Sequence, residues 1–196
     1  MADSEGPPRA VLIAALVVAI GALGIILAIA ATRHSPLQPV AIPAVPAPHA
    51  QDPACRTLLE SLPQRLGDYQ RAATAQPTPV GTAAWRAGND SEPVVLRCGI
   101  DRPADFVVGS PIQLVDRVQW FKESAAQDVQ DAPPQAGGVP AQPGSAPTRS
   151  TWYTVDRPVY VALTLPSGSG PTPIQQLSEL IDQTMPARPI SPSPGS

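Results

Sequence analysis

The side chains in this sequence best suited to recognition chemistry are aromatic and basic. Trp152, Tyr153, Asp156, Arg157 and Tyr160 lie close together in the chain, and Arg97 and Arg102 join them as candidates. Aromatic rings beside guanidinium groups hold sugars by stacking and peptide carboxylates by paired N–H donors. On an antiparallel strand the same residues also serve as cross-strand packing, and Asp156-Arg157-Pro158 reads as a hairpin turn. Glu60, Asp101, Asp105, Asp116 and Asp156 supply carboxylates of the kind that pair in glycosidases. Their spacing selects no pair. The two histidines, His34 and His49, both lie in a proline-rich stretch. No histidine is therefore left elsewhere for a Ser-His-Asp or Cys-His nucleophile or an ordinary zinc hydrolase site. There is no P-loop, no G-x-G-x-x-G and no Ser-x-x-Lys around Lys122, the one lysine. The expectation is a chain that is not an enzyme, with no metal and no cofactor.

A second pair of residues carries redox information. Cys55 and Cys98 are the only cysteines, and they lack the C-x-x-C spacing of a redox-active pair. Each falls on the apolar face of its own element, so a bridge would pin a helix to a sheet. Closing that loop of roughly 44 residues is worth roughly 4 kcal/mol in the chain-entropy model. Structural disulfides persist outside the cytoplasm. The alternative is two reduced core cysteines.

The elements that position these residues divide the chain. Ala10 to Ala31 is an uninterrupted apolar run with four Leu, three Val and five Ile. As a helix it spans roughly 33 Å, close to the hydrocarbon thickness of a bilayer. Its length favours a retained signal anchor over a signal peptide cut after Ala28-Ile29-Ala30. Arg9 and Arg33 balance one another across it, so charge alone does not orient it. Residues 1–9 are expected to remain cytoplasmic as a short tail, with the rest exported. Residues 32–51 are rich in proline, which predicts a stiff polyproline II spacer.

Residues 52–185 are expected to form an α+β domain: a small antiparallel sheet with an N-terminal and a C-terminal helix packed on it. Asp52-Pro53 starts a helix that carries Cys55, Leu58, Leu59, Leu62 and Leu66 on one face, with Pro63 ending or bending it. Strands are expected at 68–72, 82–86, 93–100, 112–121, 150–155 and 159–165. The last helix starts at Thr172-Pro173, with Thr172 and Gln175 at capping-box spacing. Residues 131–148 read as a disordered insertion and 186–196 as a disordered tail.

Several stretches in order resemble a known family. They are Asp52-Pro53-Ala54-Cys55, then Val94-Val95-Leu96-Arg97-Cys98-Gly99 with Arg102-Pro103-Ala104, then Thr151-Trp152-Tyr153-Thr154-Val155-Asp156-Arg157-Pro158 leading into Val159-Tyr160-Val161. Together they resemble the actinobacterial domain of unknown function three-five-one-five. The resemblance implies a membrane-anchored or secreted envelope protein and assigns no catalytic residue. Net charge is −3 and the 13 basic residues are scattered, which leaves no footprint for nucleic acid. The expected role is a non-catalytic interaction or scaffold domain. It would be held to the plasma membrane by residues 10–31 and dock on a membrane or cell-wall protein. The alternatives are a binding module for a cell-wall glycan or peptide and, third, a carboxylate-based hydrolase.

Overall fold

The computed structural model describes residues 9–32, 37–123 and 149–194. It forms two compact units, divided after Pro36. The first contains one helix, α1 (Arg9–Thr32). From Ala10 to Leu27 it is apolar, long enough to cross a membrane and unburied by any part of the protein. Val11, Ile13, Val18 and Ile26 are each more than half exposed. The 131–148 insertion lies outside the described residues.

The second unit holds α2 (Pro53–Ser61), eight strands and α3 (Thr172–Thr184). The strands are β1 (Arg65–Leu66), β2 (Tyr69–Ala72), β3 (Thr82–Arg86), β4 (Val94–Ile100), β5 (Ile112–Val115), β6 (Val118–Lys122), β7 (Ser150–Thr154) and β8 (Tyr160–Leu165). They make one sheet in the order β1-β2-β3-β4-β8-β7-β6-β5, with every pairing antiparallel. The α+β expectation holds. Alternate residues of each strand face opposite sides, so one face carries Trp85, Val94, Leu96, Cys98, Trp120, Val161 and Leu163. These bury against Cys55 and Leu58 of α2 and Leu177 and Ile181 of α3. Cys55 and Cys98 form a disulfide there, with Cα atoms 5.6 Å apart and both side chains fully buried. Trp120 donates from Nε1 to Ser178 Oγ at 2.9 Å, and Ser178 donates on to the Ile174 carbonyl at 2.7 Å. A polar link thus seats α3 on the sheet without leaving a buried donor unpaired.

Several expectations change. The stretch 112–121 is a hairpin, not one strand: β5 pairs with β6 through Val115 opposite Val118. Asp116 takes a φ of 52° at the turn, which its short polar side chain tolerates. The break moves Val118 and Trp120 to the helix-covered face, whereas Ile112 and Leu114 point to the other. Leu66 belongs to β1, because α2 stops at Ser61 and Leu62 is already extended. The caps differ in part. Asp52 is the N-cap of α2 as expected, Pro171 rather than Thr172 takes that position in α3, and neither N-cap makes a side-chain cap hydrogen bond. Asp52 instead lies 3.4 Å from His49 Nδ1.

Residues 37–51 of the spacer and 186–194 of the tail pack on the domain. Within 37–50, Val40 bridges Thr74, and Val40 and Ile42 bury against Ala72, Ala84 and Val95 on the second face of the sheet. Their i, i+2 spacing is that of an extended strap with one apolar side. Further along, His49 N–H donates to the Gly99 carbonyl at 3.0 Å. Gly99 sits at a register shift between Cys98 and Ile100 with φ of +82°, the geometry of a glycine bulge. A Cβ there would overlap the backbone of His49 and Ala50. The strap therefore lies where only glycine leaves room. At the other end of the chain, Ser193 bridges Val107, Arg102 Nη1 donates to the Ser191 carbonyl at 3.0 Å, and Arg188 N–H donates to the Asp156 carbonyl at 2.8 Å. Prolines suit both segments, since neither enters the ladder of the sheet.

Candidate functional site

Helices cover one face of the sheet, whereas two separate covers lie on the other. The strap shields β2 to β4. Phe106, from the loop after β4, packs with Phe121 and Val155, its ring centroid 5.4 Å from that of Phe121. Between the covers a groove remains over β4, β8 and β7. Register explains it. Arg97 pairs with Ala162 and Ala162 with Tyr153, so these three form one row across the strands. Neighbouring strands are about 4.8 Å apart. Two large side chains therefore stand about 10 Å apart with a single methyl between them. The next row brings Thr164 beside Thr151, their hydroxyl oxygens 3.2 Å apart. Val45 and Pro46 of the strap complete the lining together with Ile100, Asp101 and Pro103. The groove is open to solvent and has a volume of about 360 Å³.

Arg97 is the cation lining this groove, with the Asp101 carboxylate in the same lining. Its Nη2 reaches the Pro43 carbonyl at 3.4 Å, and its buried Nε has no hydrogen-bond partner. Burial lowers its pKa from the ordinary guanidinium value, and nearby Arg149 adds to that. Among the described residues no carboxylate lies within ion-pair distance of Arg97. Arg149 is instead paired with Glu92 at 3.4 Å. The Tyr153 hydroxyl donates to Glu123 Oε2 at 3.0 Å. Burial first, then the charge and hydrogen bond of Glu123, raise its pKa well above the phenol value. It remains a donor under all ordinary conditions. Ala162 and Thr164 are buried in the floor.

The other predicted residues go elsewhere. Trp152, one position from Tyr153, points to the opposite face. There it packs at the margin of the main core, donates from Nε1 to Ser150 Oγ at 3.1 Å and lies 5.4 Å from Lys122 Nζ. Tyr160 packs with the Phe106 cluster, and burial raises its hydroxyl pKa. Asp156 and Arg157 are buried together. Arg157 has no exposed side-chain surface and lies 3.1 Å from Asp156 Oδ2 and 3.2 Å from Asp182 Oδ1. It also donates to the carbonyls of Asp156 and Arg117 at 3.1 and 2.8 Å. Burial raises the Asp156 pKa, opposed by the Gln119 amide and by Arg157. One guanidinium thus joins the β7–β8 connection, the β5–β6 turn and α3. Of the predicted set, only Arg97 and Tyr153 meet in a groove. Residue type gives no sign of a site at Ala162, Thr151 or Thr164; period-two alternation marks their faces, and only the register brings those faces together.

The model of the family described as "Protein of unknown function (DUF3515)" matches residues 13–190. The chain belongs to this family. No curated protein and no solved structure matches it. The matched span runs from within α1 to the segment after α3, so it takes in the apolar helix, the strap and the whole sheet of this DUF3515 chain. Among its described residues no three His, Cys, Asp or Glu side chains gather to hold a metal ion. The groove offers the Arg97 guanidinium, the Asp101 carboxylate, the hydroxyls of Thr151, Tyr153 and Thr164, and apolar walls.

Proposed function

We propose that this chain is a membrane-anchored protein of the cell envelope. Its disulfide-bonded domain stands outside the cytoplasm and acts as a non-catalytic interaction module, docking on a membrane or cell-wall protein. The observation that carries the reading is the combination of an unburied apolar helix, α1, with a fully buried Cys55–Cys98 bridge in the unit that follows it. A bridge of this kind persists in an oxidising compartment, and the helix supplies the attachment. The actinobacterial origin implied by the sequence motifs fits the same placement.

A second reading, a binding module for a cell-wall glycan or peptide, draws on the groove between the two covers. Crosslinking in the cell, followed by purification of the tagged protein in mild detergent and mass spectrometry, separates the two. A membrane or envelope protein recovered in near-equal amount supports docking. Glycan or peptide fragments without a protein partner move the assignment to the second reading.

A further inference from the structure

Resting on the docking reading, we infer that the groove between the strap and the Phe106 loop receives an acidic side chain from an extended segment of the partner protein. Its carboxylate pairs with Arg97. The argument starts from an uncompensated charge. A guanidinium half withdrawn from water and given only one long hydrogen bond to a carbonyl is costly to keep. Elsewhere in this domain the buried arginine has counter-charges: Arg157 faces two carboxylates and two carbonyls, although its Nε is also unpaired. Of the other partly buried arginines of the sheet, Arg71 stacks on Trp85 at 4.8 Å, whereas Arg86, like Arg97, has a buried Nε without a hydrogen-bond partner. Arg97 has no such partner among the described residues, and its Nε donor is unused. A carboxylate entering the groove supplies the missing counter-charge through strong, charge-assisted hydrogen bonds.

The rest of the lining fits a peptide. Ala162 keeps the floor low beside Arg97, while Val45, Pro46, Ile100 and Pro103 offer apolar walls to the stem of the incoming side chain and its neighbours. Thr151 and Thr164 present hydroxyls that donate or accept. Asp101, exposed in the same lining, accepts a backbone N–H of the ligand. The volume of about 360 Å³ is at the small end of ligand pockets. That is room for one side chain with its flanking backbone.

The test uses the full chain in detergent and three blocked or free tripeptides as probes. These are N-acetyl-Ala-Glu-Ala amide, its Gln counterpart, and N-acetyl-Ala-Ala-Ala with a free carboxyl end. Binding is read from the side-chain NMR signals of Arg97 and Tyr153. The glutamate peptide should bind at least about tenfold tighter than the glutamine peptide, the scale of one charge-assisted hydrogen bond. Arg97→Gln should erase that preference while leaving the far-ultraviolet spectrum unchanged, and Ala162→Leu should fill the floor and abolish binding of both. Equal affinity for the two peptides, no binding of either, or a preference that survives Arg97→Gln overturns the inference. Binding of only the free-end peptide also overturns it, because the groove would then read a chain terminus. In-cell crosslinking separates this inference from the docking proposal. A partner captured equally by wild type and Arg97→Gln removes the groove from the interface and leaves docking standing. If wild type captures no protein, docking fails, and with it the partner-derived ligand.

Discussion

Replacing Cys98 with serine will lower the unfolding free energy by about 2–5 kcal/mol, the usual cost of losing a native disulfide in a small exported domain. The bridge closes a loop with a sequence separation of 43 and ties α2, otherwise a helix of 9 residues, to the central strand β4. So short a helix is not stable alone in water; it depends on this attachment and on the burial of Leu58. Serine also places an unpaired hydroxyl in a fully buried position, which adds to the loss. Thermal unfolding followed by circular dichroism, with and without a reductant, checks both parts. Wild type should drop sharply on reduction, whereas Cys98→Ser should not respond. If reductant leaves the wild-type transition unchanged, the bridge does not hold the domain together.

Arg157→Ala should cost about 3–5 kcal/mol, because it strands a buried carboxylate. Asp156 keeps only 4% of its side-chain surface exposed and would lose its counter-charge. The carbonyls of Asp156 and Arg117 would lose a donor at the same time. Asp156→Asn should be milder, about 1–2 kcal/mol, since it removes the charge that burial disfavours and leaves Arg157 paired with Asp182. Arg157→Lys should not rescue the site: an ammonium cannot reach two carboxylates and two carbonyls with one planar fork. Urea unfolding of the three variants gives the order. A small loss for Arg157→Ala would mean that the cluster is not a structural hub and would return it to candidacy as a ligand site.

These contrasts show where the sequence was legible. Strand β4 and the β7–β8 pair declare themselves by alternation, and the disulfide follows from two cysteines on apolar faces. The strap was not legible, since Pro43, Pro46 and Pro48 dominate its composition and conceal the apolar pair Val40 and Ile42. What places it is Gly99, whose positive φ opens space for His49 and Ala50. That is a long-range contact with no local sequence signature. The β5–β6 turn was missed because Asp116-Arg117 contains neither glycine nor asparagine, the residues that usually announce a two-residue hairpin. The site was half visible. Residue type pointed to Arg97, Tyr153 and Arg157 alike. Only burial and register separate an arginine locked into the fold from one that faces a groove, and neither is written in spacing along the chain.

The proposed placement of the domain outside the cytoplasm is tested directly by one labelling experiment. Ser167 lies exposed in the turn between β8 and α3, and neither native cysteine is free to react. Ser167→Cys therefore offers a single accessible thiol. A maleimide that cannot cross membranes should label this variant on intact cells and leave wild type unlabelled. Labelling that appears only after the cells are lysed would put the domain in the cytoplasm and contradict the account.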